Sequence, residues 1–332
     1  MRAFLLGLAS AAGSFVNTSV ERKVNVDRSY LYLDTEVAFK GEGSVYYHIL
    51  PKSVEPYIAI VAAKTLMQDM KVKRLENPPK EFQGKDAIYY EIEVLKKGEK
   101  SHQLEIQEIY KRRLTPFPAE IGLFDDHLVR VEENKHFFSV YPTETERLTV
   151  AVEQGKLKKF EPADGGADKT IQKTQRSLKY GPYLNTPPFA FSKISFHFVH
   201  NEPMPLFKEA RTEIVVSHWG NIAVDEYYIL KNEAAKIKGQ FSRADYYQTG
   251  AHAYSGGDTS IKSLHTEFPR HIHDLYYYDF IGNVSSSHAF RDEHAVTFDI
   301  EPRFHVFGGW NIDWHQGYSV RNKHNLFYNK LQ

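Results

Sequence analysis

Sixteen histidines make metal ligation the first chemistry to look for in this sequence. The densest group is His265, Glu267, His271, His273 and Asp274. On a strand, His271 and His273 would share a face and offer two imidazoles to one ion. No third ligand follows at a regular spacing and there is no His-Glu-x-x-His helix, so a solvated, hydrogen-bonded histidine face accounts better for the group. Ser217-His218 and Ser287-His288 place a hydroxyl beside an imidazole only along the chain, without a Gly-x-Ser-x-Gly elbow. Glycine-rich phosphate loops are missing, and the carboxylates are too scattered to nominate an acid/base pair. There is no cysteine, which removes disulfides, thiolate nucleophiles and cysteine-type zinc or iron–sulfur sites together. No catalytic residue, metal ligand set or cofactor site follows from these residues.

Two Asn-x-Ser/Thr tripeptides could accept a glycan: Asn17-Thr18-Ser19 and Asn283-Val284-Ser285. Asn283 follows Gly282 and precedes a serine-rich stretch, which predicts an exposed turn and makes it the stronger acceptor; Asn17 lies close to the expected N-terminal cleavage point. Three aromatic–glycine segments are Ser217-His218-Trp219-Gly220, Tyr180-Gly181-Pro182-Tyr183 and Phe307-Gly308-Gly309-Trp310. They are expected to be turns whose large side chains cover sheet ends, in preference to platforms for sugar stacking.

The elements that must position these residues are strands. Ile88, Tyr90, Ile92 and Val94 alternate with polar or aromatic neighbours, as do Val296, Phe298 and Ile300, and this is period two rather than 3.6. Similar runs are Tyr30–Phe39, Val45–Leu50, Leu128–Glu132, Leu148–Val152, Phe191–Val199 and Ile214–Val216. Tyr57 to Met70 is the best helix candidate. The expected class is mainly β, with two tandem β-sandwich-like domains and a few helices.

Forty-two basic residues balance forty-two acidic ones, so no net field favours nucleic acid or an anionic membrane. Arg2, the apolar run Ala3–Ala12 and the small residues up to Ser14 form an export-signal pattern over residues 1–14. Downstream, the most apolar run, Tyr57–Ala63, is far shorter than the ~20 residues of a membrane helix. The polar stretch Glu161–Thr174 and the prolines after it predict a linker, with a first domain over 15–185 and a second over 186–332. An offset of 190 residues aligns Val24 and Val26 with Ile214 and Val216, and Arg113, Phe117, Phe137 and Phe138 with Arg303, Phe307, Phe327 and Tyr328. One inserted residue brings Leu33-Asp34 onto Val224-Asp225. On that alignment Leu148–Val152 has no second copy, so the second domain is expected to be C-terminally incomplete.

Four segments stand out: Ile214-Val-Val-Ser-His-Trp-Gly-Asn-Ile-Ala-Val-Asp-Glu226, Lys238-Gly-Gln-Phe-Ser-Arg-Ala-Asp-Tyr-Tyr-Gln248, Ile281-Gly-Asn-Val-Ser-Ser-Ser-His288 and Pro302-Arg-Phe-His-Val-Phe-Gly-Gly-Trp310. They resemble the ribophorin I family, and the resemblance covers essentially the whole chain. Pro116-Phe-Pro118 and His136-Phe-Phe-Ser-Val-Tyr-Pro-Thr143 resemble the family more loosely. The resemblance implies the lumenal part of a non-catalytic oligosaccharyltransferase subunit in the endoplasmic reticulum, with two β-rich domains. The implied partners are the other subunits, including the catalytic one, nascent polypeptides, and the translocon and ribosome. Family members continue into a transmembrane helix and a cytosolic part. Two alternatives stand beside this: a soluble secreted β-sandwich that binds carbohydrate or protein, and a metal-dependent hydrolase using His265–Asp274.

Overall fold

In the computed structural model, residues 15–322 are described except 66–67, 78, 80–81, 83–84, 94–100, 124, 153–154, 162–169, 245, 247–258 and 285–286. The export pattern at 1–14 and the repeat partners Phe327 and Tyr328 lie outside the described residues. The chain is mainly β, as its alternation predicts, and forms two compact units: residues 1–117 with 128–200, and residues 118–127 with 201–332.

In unit 1 the strands are β1 (Val16–Asp27), β2 (Tyr30–Lys40), β3 (Val45–Pro51), β4 (Ile58–Lys64), β5 (Asp69–Met70), β6 (Val72–Arg74), β7 (Ala87–Glu93), β8 (Ser101–Lys111) and β9 (Thr115–Pro116). After β10 (Glu120–Ile121), which belongs to unit 2, come β11 (Leu128–Asn134), β12 (Thr143–Ala151), β13 (Leu157–Glu161), β14 (Gln172–Lys173), β15 (Ser177–Thr186) and β16 (Lys193–Val199). The main sheet has the order β14-β15-β12-β1-β2-β8-β4-β5; a second sheet has β3-β7-β6 and a third β13-β16-β11-β9. Val20, Val37, Phe39, Leu104 and Ile106 of the main sheet share one buried cluster with Tyr46, Ile49, Tyr89 and Ile92 of the second. Period-two alternation thus becomes the inner face of a sandwich.

Unit 2 contains β10, β17 (Pro205–Val216), β18 (Asn221–Asn232), β19 (Lys236–Ile237), β20 (Leu264–Pro269), β21 (Ile272–Asp279), β22 (Gly282–Asn283), β23 (His288–Arg291), β24 (Ala295–Ile300) and β25 (Asn311–Arg321). Its main sheet runs β17-β18-β25-β21-β22, with β20-β24-β23 as the second layer. Ile222, Val224, Ile272, Trp314 and Val320 cluster with Phe268, Val296, Phe298 and Ile300 between the two.

The two units repeat one topology. Five antiparallel strands of the eight-stranded sheet in unit 1 and its three-stranded partner, β1-β2-β8-β4-β5 with β3-β7-β6, match the sheets β17-β18-β25-β21-β22 and β20-β24-β23 of unit 2. The offset of 190 aligns the opening hairpins, since Val24 pairs with Leu33 as Ile214 pairs with Val224. It fails further on. Lys111 opposite Tyr30 corresponds to Arg321 opposite Asn221, so the offset grows from 191 in β2 and β18 to 210 in β8 and β25. Arg113 then lies after β8 and Arg303 before β25, and the two are not equivalent.

Two further expectations are corrected. Tyr57 to Met70 is not a helix: a 3-10 turn at Lys52–Tyr57 leads into β4 and β5. Pro56 and the β-branched Ile58, Ile60 and Val61 oppose an α-helix, and β8 supplies an edge for pairing. Nor is Glu161–Thr174 an interdomain linker, because β14 returns onto β15 and β16 is held between β13 and β11. Unit 1 therefore runs to His200, past the expected boundary at 185/186.

Candidate functional site

The sequence-derived histidine group does not assemble. His265 and Glu267 sit on β20 of the second layer, whereas His271 lies in the turn before β21, so His271 and His273 do not share a strand face. His265 Nδ1 lies 2.7 Å from Asp299 Oδ1, and His273 Nδ1 the same distance from Asp274 Oδ2. The Asp299 hydrogen bond raises the pKa of His265. Among the described residues no group of three or more His, Asp or Glu side chains is placed to hold a metal. Ser217 Oγ accepts the Trp219 amide at 3.2 Å within a turn, and Ser287 Oγ accepts that of Glu301 at 3.1 Å, so both hydroxyls are engaged with backbone.

The two sequons fall in opposite environments. Asn17 is fully buried: its Nδ2 donates to Ser139 Oγ and Thr143 Oγ1, both at 3.2 Å, and its Oδ1 accepts the Tyr46 hydroxyl at 3.1 Å. Its amide is committed to the core, where a glycan has no room. Asn283 is exposed on β22, opposite Tyr278 and just past the turn of the β21–β22 hairpin. Asp279 Oδ1 accepts the amides of Ile281 and Gly282, and Arg303 Nη2 approaches the carbonyl of Asn283 at 3.5 Å. The turn is built and the Asn283 side chain stands outside it.

The aromatic–glycine segments divide in the same way. Phe307 is buried and Trp310 half-buried, and their rings meet 5.3 Å apart near Phe241, as expected for side chains closing a sheet end. Trp219 does the opposite: at the β17–β18 turn it is 97% exposed and covers nothing. Tyr180 is buried within β15, not at a sheet end.

Unit 1 contains a cavity of about 510 Å³ walled by Arg22, Tyr57, Glu108, Arg113, Phe117 and Glu133, among others. Its polar wall was not legible as a motif, because its charged residues come from segments far apart in the chain: Arg22 on β1, Glu108 on β8, Arg113 just after β8, and Arg130, Glu132 and Glu133 on β11. Glu133 bridges two arginines, with Oε1 3.3 Å from Arg22 Nη2 and Oε2 3.1 Å from Arg113 Nη2. Arg22 also donates to the carbonyls of Asn134 and His136, each at 2.9 Å. The rings of Tyr57 and Tyr110 flank the Arg113 guanidinium at 5.9 and 5.5 Å.

Deeper in, Glu108 Oε1 lies 3.0 Å from His48 Nε2, and Glu108 Oε2 accepts the Tyr110 hydroxyl. Burial works to raise the Glu108 pKa, but the neighbouring His48, the Tyr110 hydroxyl and the Arg22 charge outweigh it and hold the carboxyl below its ordinary range. Tyr110 is pushed well up, by burial first and then by the Glu108 charge. A carboxylate held ionised and a phenol held protonated are not poised to exchange protons near neutrality. Their chemistry here is cohesion: Glu108 joins β8 to β3 at His48, while the Arg22–Glu133 ion pair joins β1 to β11. A second such knot holds β12, where buried Glu146 accepts from Phe137 N at 2.8 Å, Thr186 Oγ1 at 2.9 Å and His136 Nδ1.

The family model described as Ribophorin I matches residues 15–332. The dolichyl-diphosphooligosaccharide–protein glycosyltransferase subunit 1 of Caenorhabditis elegans is 29% identical over 97% of this chain and 54% of its own length. Subunit 1B of rice is 33% identical over 68% of this chain and 46% of its own, and subunit 1B of Arabidopsis thaliana 28% over 96% and 69%. The chain thus spans about half the length of the first two relatives. Among solved structures, native yeast LTA4 hydrolase is similar over 60% of this chain and 30% of that one, with a TM-score of 0.35 at 6% identity, a likeness too weak to carry any inference. The match over residues 15–332 and the exposed β17–β18 hairpin carrying Ile214–Glu226 fit together: the chain belongs to the ribophorin I family.

Proposed function

We propose that this chain is a non-catalytic scaffold within an oligosaccharyltransferase, acting on the lumenal side of the endoplasmic reticulum in protein N-glycosylation. The observation that carries this is the family match over nearly the whole chain, together with relatives named as subunit 1 of that glycosyltransferase. The site geometry supports an accessory role, because the charged residues of the cavity bind one another across strands instead of standing free for a substrate. Its partners are the other subunits, including the catalytic one, and nascent polypeptides at the translocon. Asn283 is the N-glycan acceptor of the chain.

The test is an affinity pull-down of the tagged chain from detergent-solubilised microsomes. Co-recovery of further oligosaccharyltransferase subunits is the expected result. Recovery of the chain alone, with binding to a glycan array, would replace this reading by that of an independent carbohydrate-binding protein.

A further inference from the structure

Three residues form one row across the outer face of the unit 2 main sheet. His315 of β25 is opposite Tyr278 of β21, and Tyr278 is opposite Asn283 of β22. Directly opposed residues carry their side chains on the same face, with Cβ atoms about 4.5–5.5 Å apart. The His315 imidazole stacks on the Tyr278 ring, with centroids 4.8 Å apart and planes 8° from parallel. One face of the phenol is thus covered from the β25 side. The other is turned away from His315, to the side on which β22 carries Asn283. Tyr276 does not compete for that side: its hydroxyl donates to Asp225 at 2.5 Å and its ring end lies over Gly317, so it leans across β25 toward β18.

The repeat supplies a comparison within the same chain. The offset of 210 between β8 and β25 brings His315 onto Glu105, and the pairing then brings Tyr278 onto Lys64 and Asn283 onto Asp69. In unit 1 that row is a charged surface, with Lys64 Nζ 2.8 Å from Glu105 Oε2 and Asp69 exposed. Water satisfies such a row. In unit 2 the row is two stacked rings that end on the asparagine of a sequon, and the outer face of the phenol is apolar surface to be covered.

We infer that the Tyr278 ring is the seat of the first N-acetylglucosamine of the glycan on Asn283, which packs on the ring face that His315 leaves open. This rests on the reading of Asn283 as an acceptor and adds the surface that holds the sugar. A pyranose with equatorial substituents presents axial C–H groups on its faces, and these suit the negative face of an aromatic ring. The sugar is joined to Asn283 Nδ2, so the ring within its reach is the cross-strand one. His315 is a positioning residue, since its stacking fixes the plane of the phenol. Phe280 is the other aromatic near the sequon, 73% exposed in the hairpin turn, but it opposes no residue of β22.

The test uses the chain produced in a glycosylating host and treated, still folded, with peptide-N-glycosidase, which cuts the bond between Asn283 and the sugar. Tyr278→Phe should release the glycan as slowly as wild type. Tyr278→Ala should release it about tenfold faster, the scale of one lost aromatic contact. A second measurement needs no variant: with 13C-labelled sugars, protons of the first N-acetylglucosamine should be shifted upfield by the ring in the folded wild type and lose that shift in urea. An unmodified Asn283 would remove both the acceptor reading and this inference. A glycan on Asn283 whose first sugar is unshifted overturns this inference and leaves the acceptor in place. Protection lost in Phe280→Ala but kept in Tyr278→Ala would seat the sugar on the turn and overturn it equally.

Discussion

Arg303 closes on Asp279 with two parallel hydrogen bonds, Nε to Oδ2 at 2.8 Å and Nη2 to Oδ1 at 3.0 Å, and so fixes the hairpin that presents Asn283. The pair also explains why Arg303 is where it is, a role unrelated to that of Arg113, which serves Glu133 in unit 1. The Arg303 hydrogen bonds and the amides of Ile281 and Gly282 lower the Asp279 pKa. A depressed carboxyl stabilises the fold above its unfolded value, about 3.9, and the contribution is lost as pH falls through the folded value. Asp279→Ala should cost about 1–3 kcal/mol at neutral pH, and the difference from wild type should shrink below about pH 4. Urea melts followed by tryptophan fluorescence at several pH values check both statements.

The same hairpin sets the expected modification. In a glycosylating host, Asn283→Gln should remove most of the glycosidase-sensitive gel shift, and Asn17→Gln should remove little of it. A shift that survives Asn283→Gln but not Asn17→Gln would reverse the assignment. Because Asn17 holds Ser139, Thr143 and Tyr46 together in the core, Asn17→Gln should instead lower stability, by about 1–3 kcal/mol for the partners left unsatisfied.

Glu108 is the most consequential charge in unit 1. Glu108→Ala leaves buried His48, Tyr110 and Arg22 facing a void, and breaking a buried pair from one side costs about 3–5 kcal/mol. Its depressed pKa places its own pH dependence below about 4.3, where protonation removes what the ionised form contributes. Near-UV circular dichroism of the tyrosines reads the loss; a melt unchanged by the substitution would mean that the cavity wall is not a cohesive element.

What the sequence revealed depended on range. Strands with strict alternation, such as β2 and β24, were legible because each side chain's face follows from its own parity. The opening hairpin of the repeat was legible because β1 and β2, like β17 and β18, are joined by tight turns that fix the register. Later strands slipped out of the constant offset, since the connections between β2 and β8 and between β18 and β25 differ in length without altering the pairing. The buried polar residues were invisible. Asn232 is fully buried and joins four partners, Met204, Ala234, Thr259 and Val306, yet nothing local distinguishes it from a surface asparagine.

Gly308 is a place where a single methyl group should matter. A Cβ there would meet the carbonyl oxygen of Ala235 at 1.9 Å and that of Ala234 at 2.7 Å, and neither backbone group can swing aside as a side chain could. Gly308→Ala should destabilise unit 2 by about 1–3 kcal/mol or more. Gly239→Ala meets nothing within 4 Å, so its cost should be limited to the strain of its positive φ, +83°. Equal melting points for the two variants would show that the loop relaxes around the new methyl.

Unit 2 is expected to open before unit 1. In unit 1 the strand at the position of β17 is covered on both edges and its inward residues are buried, whereas among the described residues β17 pairs only with β18, and most of its side chains are exposed. Exposed edge amides and few buried apolar contacts mark the segments with the lowest local opening free energy. The chain offers a clean reporter, because all three tryptophans, Trp219, Trp310 and Trp314, lie in unit 2. The melt followed by tryptophan should therefore precede the loss of far-UV signal from unit 1. Limited trypsin digestion should cut first at Lys208 or Arg211 on β17 and leave a resistant fragment ending near His200, not within 160–190, because β16 is locked between β13 and β11. A single cooperative transition, with both units equally resistant, would show that the exposure of β17 does not weaken unit 2.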